Sequence, residues 1–275
     1  MKNISILSIF VLFSLTTVAQ KSVSPYKWDW IRDGIWTGAA IAGTVGGYSL
    51  IINKDDITET ELAEIVANKD DINFMDRWLE GNYSEDAITH SYIPFGVAFA
   101  APALLLFDDK INDDAALVMG LYLESLSTTA ALYTITAGLV NRSRPYVYNE
   151  GEIVLGKRLK NNGQRSFYSG HVAATASASF LTAKVFNDYH PDSPALPYVW
   201  AGAAILPASV GYFRIKAGQH FLTDVLLGYA LGAGAGILIP ELHKTKNEKI
   251  DVYPTSGIND FTGDRYSGMT FRYTF

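Results

Sequence analysis

The chain has 275 residues, of which 48% are hydrophobic and 18% charged, and its formal net charge at pH 7 is -6. This composition is more apolar than that of an ordinary soluble enzyme and favours a membrane protein. The acidic net charge gives no reason to expect a nucleic-acid partner. Because the sequence contains no cysteine, disulfides and thiolate chemistry are excluded.

The first segment, residues 1–20, predicts an export signal. Lys2 precedes an apolar run over residues 4–18, and Ala19-Gln20 follows it, with Thr17 two positions before Ala19. A basic start, a short apolar core and a small residue at the cleavage point are typical of secretory signals. An uncleaved first membrane helix is the alternative, although the run is shorter than the roughly 20 residues that a span prefers. Both interpretations direct the chain to the cell envelope.

Six apolar segments follow the signal. They cover residues 34–52, 92–107, 115–140, 171–186, 197–213 and 221–242. Their abundant Gly, Ala, Ser and Thr would allow helices to approach closely in lipid. We therefore predict an all-α fold, a six-helix bundle embedded in a membrane.

The predicted organisation has four parts: the signal (1–20), a first helix with a polar insertion (21–90), a core (91–243) and a tail (244–275). We interpret the acidic insertion as a solvated face and not a metal site, because no spacing in it repeats a known ligand pattern. In the tail, residues 269–275 alternate apolar with polar at period two, which predicts a short β-hairpin.

Three polar, basic clusters interrupt the apolar segments. They read Asn141-Arg-Ser-Arg-Pro145, Ser166-Phe-Tyr-Ser-Gly-His171, and Arg214 followed by His220 and Asp224. The guanidiniums of Arg144 and Arg214 carry forked, permanently charged donors that match phosphate oxygens. These clusters point to a phosphate site.

The second and third clusters supply groups for phosphoryl transfer. Ser169 and the N–H groups of Gly170 and His171 open an apolar segment, so we predict them at a helix N-terminus, which attracts anions. His220 and Asp224 are spaced for one helical face, where the carboxylate would hold one ring nitrogen and leave the other free to attack. The pattern therefore favours transfer of phosphate onto a histidine.

In order and spacing, the clusters resemble the signature of the type 2 phosphatidic acid phosphatase (PAP2) superfamily, which also contains bacterial acid phosphatases and vanadium haloperoxidases. The family pattern reads K-x6-R-P, then P-S-G-H, then S-R-x5-H-x3-D. The matching residues in this chain are Arg144, Pro145, Ser169, Gly170, His171, Arg214, His220 and Asp224. The resemblance covers roughly residues 90–240 and implies a six-helix fold with the three motifs at one end of the bundle.

Three positions depart from the family pattern: Ala137 stands in place of the lysine, Tyr168 of the proline and Phe213 of the serine. The loss of the lysine matters most, because that residue adds a third positive charge around the phosphate. Arg142 and Lys216 lie in the same basic loops and are candidates to replace it.

The resemblance implies a role for each motif residue. His220 attacks phosphorus, Asp224 holds its tautomer, and His171 protonates the departing alkoxide and then activates water. No metal or cofactor is required, because the arginines stabilise the charge. The predicted phosphate ligands are Arg144, Ser169, Gly170 and Arg214, joined here by Arg142.

The basic loop over residues 141–168 would cover the site with Lys157, Arg158, Lys160 and Arg165. The other histidines, predicted to be structural or interfacial, are His90, His190 and His243.

We therefore expect a metal-independent phosphatase that acts on a lipid-linked phosphate or pyrophosphate. Candidate substrates are phosphatidic acid, phosphatidylglycerol phosphate, undecaprenyl pyrophosphate and a lipid A phosphate. A vanadium-dependent haloperoxidase is one alternative, since the same pocket can hold vanadate. An inactive phosphate- or lipid-binding envelope protein is the other, and Ala137 motivates it.

The membrane and its lipids are the expected partners, with no nucleic acid and no obligate protein partner. Counting six spans from an exported N-terminus would place the Arg144 loop in the cytoplasm, and its basic residues would satisfy the positive-inside rule. Bacterial members of the resembled family, however, usually face the periplasm. We expect a periplasmic site in the bacterial cell envelope.

Overall fold

This computed structural model describes residues 24–245, 250–258 and 265–273. The predicted export signal over residues 1–20 lies outside the described residues. The chain divides into two compact units, Met1–His243 and Lys244–Phe275.

The described part of the first unit is helical. Six helices have 20 to 25 residues, and three shorter ones connect them. In chain order they are α1 (Arg32–Ile52), α2 (Glu59–Ala67), α3 (Glu85–Leu104), α4 (Asp109–Asn112), α5 (Ala115–Leu139), α6 (Glu152–Arg158), α7 (Gly170–Tyr189), α8 (Leu196–Lys216) and α9 (Leu222–Leu242). Short 3-10 turns lie at Lys69–Asp71, Arg77–Leu79, Leu105–Phe107, Pro145–Tyr148 and Asn161–Gln164. The prediction of an all-α, six-helix bundle is confirmed.

Helix α3 begins at Glu85, earlier than the apolar pattern predicts. The Ser84 hydroxyl accepts a hydrogen bond from the Ala87 amide at 3.2 Å, and Glu85 and Asp86 occupy the first turn. A hydroxyl N-cap stabilises a helix start because it accepts a hydrogen bond from a free amide. Acidic residues in the first turn interact favourably with the positive end of the helix dipole. A search for apolar segments overlooks this charged first turn.

Helix α7 lies at the centre of the bundle. It packs against α3, α5, α8 and α9, while α1 packs along α5. Since the long helices alternate in direction, the ends of α1, α5 and α8 meet the starts of α3, α7 and α9. This arrangement brings the three motifs to one end of the bundle.

The polar insertion folds over that same end. Its helix α2 starts with a capping box between Thr58 and Glu61. The Ile57 amide donates to the Leu159 carbonyl at 2.8 Å, and Asp56 pairs with Lys160 at 2.9 Å. The insertion is therefore joined to the loop that follows α5.

Glycines spaced four apart let α9 approach the backbone of α7. A Cβ atom on Gly236 would lie 2.5 Å from the Ser177 carbonyl oxygen of α7, and one on Gly228 equally close to the carbonyl oxygen of Ser169, the N-cap of α7. A Cβ atom on Gly232 would lie closer still to the Ala173 oxygen. Small residues at this spacing are typical of helix pairs in membranes. Packing here leaves no room for a side chain.

We expect Gly232→Ala to destabilise the bundle by about 1–3 kcal/mol, because its methyl group would force the two helices apart. Gly234→Ala is the matched control, since nothing lies within 4 Å of a Cβ there. Melting temperatures in detergent measure both changes. Equal melting temperatures for the two variants would contradict close packing of α7 and α9.

The outer surface of the bundle is apolar. Exposed large side chains include Ile35, Val45, Ile93, Ile205 and Leu238. Five of the described helices are long and apolar enough to cross a membrane: α1, α3, α5, α8 and α9. The span of α3 includes the 3-10 turn that follows it. An apolar exterior around a packed centre fits a bundle surrounded by lipid.

The second unit contains the predicted hairpin. Strand β1 (Ile250–Ile258) pairs antiparallel with β2 (Arg265–Tyr273). The register runs from Ile250 opposite Tyr273 to Ile258 opposite Arg265. The prediction of a short β-hairpin in the tail is confirmed.

Candidate active site

A cavity of about 540 Å³ lies at the end of the bundle where the motifs meet. Five cationic side chains line it, together with two histidines and two amides, and its described lining includes no carboxylate. The cations are Arg144, Lys157, Lys160, Arg165 and Arg214, and the other polar groups include His171, His220, Asn162 and Gln219. Lys157 and Lys160 pair with Glu85 and Asp56, so the three guanidiniums contribute most of the positive charge that attracts anions to this concave site.

Two buried guanidiniums form the floor of the cavity. Arg144 is 7% exposed and Arg214 is 4% exposed. Arg144 donates through Nη1 to Gln219, and Arg214 lies 5.3 Å from the centre of the Tyr92 ring. Arg144 Nε, and Arg214 Nε and Nη2, have no hydrogen-bond partner. Buried donors are almost always satisfied, so these atoms fit an anion bound in the cavity.

Ser169 and Gly170 occupy the start of α7, as predicted. The Ser169 hydroxyl is fully buried and has no hydrogen-bond partner. A Cβ atom on Gly170 would lie 2.7 Å from the Tyr133 ring, so only glycine permits this approach. Neither residue belongs to the cavity lining, although Gly170 immediately precedes His171, which does.

His220 is 2% exposed and its orientation is fixed. Its Nδ1 lies 2.7 Å from the Ser166 carbonyl oxygen. Because a carbonyl only accepts, Nδ1 carries the hydrogen and Nε2 keeps its lone pair. Burial, and then the charge of Arg144, lower the pKa of His220 well below its usual range. At neutral pH the ring is therefore uncharged.

The predicted direct contact between Asp224 and the His220 ring is wrong. Helix α9 begins only at Leu222, so His220 precedes it and does not share a helical face with Asp224. The Asp224 carboxylate instead accepts from the Phe221 amide at 3.0 Å and from the Ser166 hydroxyl at 2.6 Å. Asp224 therefore acts on His220 through Ser166, whose carbonyl orients the ring.

Arg142 lies behind the cavity and does not line it. Its guanidinium pairs with Asp224 in a close contact and with Asp76 at 2.6 Å, and it donates to the Thr223 hydroxyl at 3.0 Å. The guanidinium charge of Arg142 is thus paired with two carboxylates. The structure does not bring Arg142 to the predicted phosphate site but to the network that positions Asp224.

Ala137, which stands at the position of the family lysine, is fully buried in α5. Lys54 caps the end of this helix, with its ammonium donating to the carbonyls of Ala137 and Val140 at 2.8 Å each. Lys216 lies 5.4 Å from the centre of the Tyr212 ring and does not line the cavity. Neither it nor Arg142 therefore replaces the lysine charge in the cavity.

Arg165 brings a third guanidinium to the cavity. Its Nη2 donates to the Asn162 side chain at 2.6 Å, while its Nε is buried without a partner. Its charge also reaches Lys54, whose pKa is lowered by burial first and by Arg165 second. The sequence analysis includes Arg165 only in the basic loop, because a loop of 28 residues does not show which cation points inward.

An apolar groove of about 480 Å³, open to the outer surface of the bundle, adjoins the cationic cavity. His171 and Tyr133 line both the cavity and the groove. The His171 ring contacts Phe95, with ring centres 5.1 Å apart. Apolar side chains of α1, α3 and α5 form the rest of its wall, among them Ile41, Val45, Phe99, Leu123 and Leu126. His171 therefore lies between a cationic cavity and an apolar surface groove.

The model of the PAP2 superfamily matches residues 115–248. This part of the chain belongs to the PAP2 superfamily. The resemblance drawn from the three motifs is thereby confirmed, and membership supports a phosphatase- or phosphotransferase-type function. No curated protein and no solved structure matches the chain. In the PAP2 region, Arg144, His171, Arg214 and His220 converge on one cavity, whereas Asp224 and Arg142 support it from behind.

Proposed function

We propose that this protein is a PAP2-type phosphatase that hydrolyses a lipid-linked phosphate or pyrophosphate through a phosphohistidine at His220. The observation that carries the proposal is the wall shared by the cationic cavity and the apolar groove, which His171 and Tyr133 form. A phosphate head group fits the cavity by charge, and a hydrocarbon chain fits the groove by the hydrophobic effect.

The proposed reaction begins with the uncharged Nε2 of His220. It attacks phosphorus in line, while the guanidiniums of Arg144 and Arg214 stabilise the charge on the phosphate oxygens. Burial, and then the charges of Arg214 and Arg144, lower the pKa of His171 to about 3. A phosphate anion bound between these groups opposes that effect and favours the protonated form of His171, which then donates its proton to the leaving oxygen. The bond between phosphorus and the leaving oxygen breaks as the bond to Nε2 forms.

The second step returns the enzyme to its starting state. His171, now uncharged, accepts a proton from a water molecule, and the hydroxyl oxygen attacks the phosphohistidine. Phosphate leaves and His220 regains its lone pair. The chain's own cations would stabilise the charge in both steps, so we expect turnover to continue in the presence of EDTA.

Arg165 is proposed to supply the charge that the family lysine supplies elsewhere. We expect Arg165→Ala to lower kcat/KM by about 10²-fold, the cost of losing one donor to a developing charge. Arg165→Lys should recover part of this loss. The Lys216→Ala variant is the control, since Lys216 is a nearby cation outside the cavity. Equal losses in Arg165→Ala and Lys216→Ala, measured by phosphate release, would refute the assignment.

The test of the function is phosphate release by detergent-purified protein with EDTA present. Long-chain phosphatidic acid, its short-chain analogue and glycerol phosphate form a series with one head group and decreasing apolar surface. We expect kcat/KM to fall by at least about tenfold at each step, because each removes several buried methylene groups. Equal rates along the series would refute the lipid assignment, and no release at all would favour the inactive binding protein.

We also propose that the phosphate cavity faces the periplasm, as in most bacterial members of the family. Because the sequence has no cysteine, single variants report on each end of the bundle. Asp70 lies in the insertion at the cavity end and Asp113 precedes α5 at the opposite end, and both are exposed. In intact cells, an impermeant maleimide should label Asp70→Cys and spare Asp113→Cys. The reverse pattern would place the cavity in the cytoplasm.

A further inference from the structure

A second cluster of ionisable side chains lies at the end of the bundle opposite the phosphate cavity. It comprises Asp33 in α1, Glu124 in α5 and His243 directly after α9. The three residues are 1%, 4% and 3% exposed, respectively. One nitrogen or oxygen atom from each lies within 4.8 Å of the other two. The proposed phosphatase reaction uses none of them.

The His243 ring is held with one nitrogen facing two carboxylates. Its Nδ1 lies 2.8 Å from the Ile239 carbonyl oxygen, so Nδ1 carries the hydrogen. Its Nε2 lies 3.0 Å from Asp33 Oδ2 and 3.3 Å from Glu124 Oε2. Trp28 stacks on the ring at 5.5 Å between centres. The environment therefore fixes both the tautomer and the direction of the lone pair.

A lone pair and two carboxylate oxygens repel one another unless a positive charge lies between them. A proton on His243 Nε2 forms a directional bond with one oxygen at a time. In the structure, neither His243 Nε2 nor Glu124 Oε2 has a partner with hydrogen-bond geometry. Such buried groups are costly when unsatisfied. A proton on Nε2 would pair His243 with both carboxylates but would hydrogen-bond well to only one of them, which leaves a place for a cation bound to all three atoms.

A metal ion would satisfy all three atoms at once. Zinc binds imidazole nitrogen and carboxylate oxygen at about 2.0–2.2 Å, and tetrahedral geometry then separates neighbouring ligand atoms by about 3.3 Å. The separations of 3.0 and 3.3 Å from His243 Nε2 are close to this value. The bond from Nδ1–H to a backbone carbonyl is typical of metal-binding histidines.

We propose that Asp33, Glu124 and His243 bind a divalent transition-metal ion, with zinc as the best match to one imidazole and two carboxylates. Asp33 is already oriented, because it accepts from the Asp29 amide at 2.7 Å and from Arg32 Nε at 2.5 Å. The ion would join α1, α5 and the end of α9. Its role is structural, since the cluster is remote from the phosphate cavity.

The test uses the full chain, purified in detergent and dialysed against metal-free buffer. Elemental analysis should find about one zinc equivalent per chain in the parent protein after zinc is added and the excess removed. Glu124→Gln keeps the shape of the side chain and removes the ligand charge, so we expect at least about a 100-fold loss of zinc affinity. Asp113→Asn, an exposed change at the same end, is the matched control.

Melting temperature provides a second measurement that does not depend on activity. Added zinc should raise the melting temperature of the parent protein and of Asp113→Asn but not that of Glu124→Gln, because only a folded site binds the ion. No zinc bound by the parent protein, or equal binding by Glu124→Gln, would overturn the proposal and leave a protonated histidine between the carboxylates. Phosphate release is assayed on zinc-loaded parent protein without EDTA as well as with it, so failure of the metal site is distinguishable from failure of the proposed function.

Discussion

The His220→Ala variant is expected to release phosphate at least about 10⁴-fold more slowly than the parent protein, since removal of a nucleophile eliminates the covalent route. The fixed geometry of the ring is the reason for so large an effect. The bond from Nδ1 to the Ser166 carbonyl leaves Nε2 unprotonated. Among the described residues, His171 is the other histidine that lines the cavity, and its ring has no such hydrogen bond to a backbone carbonyl.

Two measurements separate a chemical role for His220 from a structural one. His90→Ala is the matched control, because His90 is exposed near the same end of the bundle and does not line the cavity. Its rate should be close to that of the parent protein. Rapid quenching with radiolabelled substrate should trap acid-labile label on the parent protein and on His90→Ala, but not on His220→Ala. Label retained by His220→Ala would mean that another group is the nucleophile.

Arg214→Met is expected to have opposite effects on activity and on stability. We predict that kcat/KM falls by about 10³-fold, because a donor to the transition-state charge is lost. The melting temperature should rise at the same time, because the Arg214 guanidinium is buried with two unsatisfied donor atoms in the absence of an anion. Methionine can fill much of the same space without a charge.

Lys216→Met is the control for Arg214→Met. It removes a cation from the same end of α8, but Lys216 does not line the cavity. It should therefore change both activity and melting temperature little. Inorganic phosphate or vanadate should stabilise the parent protein and Lys216→Met, since a ligand of the folded state raises its stability. A lower melting temperature of Arg214→Met, with phosphate stabilisation intact, would show that Arg214 serves packing and not phosphate binding.

Features that depend on residues close together in the sequence could be predicted well. The core segments of the six long helices follow from apolar composition, which depends on local residues, and the motif order identifies the superfamily that residues 115–248 match. The start of α3 was missed because Glu85 and Asp86 are charged yet favourable in a first turn. The spacing between His220 and Asp224 led to a wrong prediction of direct contact. This spacing places two residues on one helical face only if both lie inside the helix, and His220 precedes it.

The sequence by itself determined the class of protein and the chemistry of its groups: six apolar helices, two histidines at the family's spacing, a set of cations and no thiols. Only the tertiary structure decided which of those cations reach the cavity. Arg142 faces Asp76 and Asp224, whereas Arg165 faces the site. It also decided that Asp33, Glu124 and His243 meet. The physical reason is that helical periodicity is local, whereas the direction of a loop side chain depends on contacts between segments far apart in the chain.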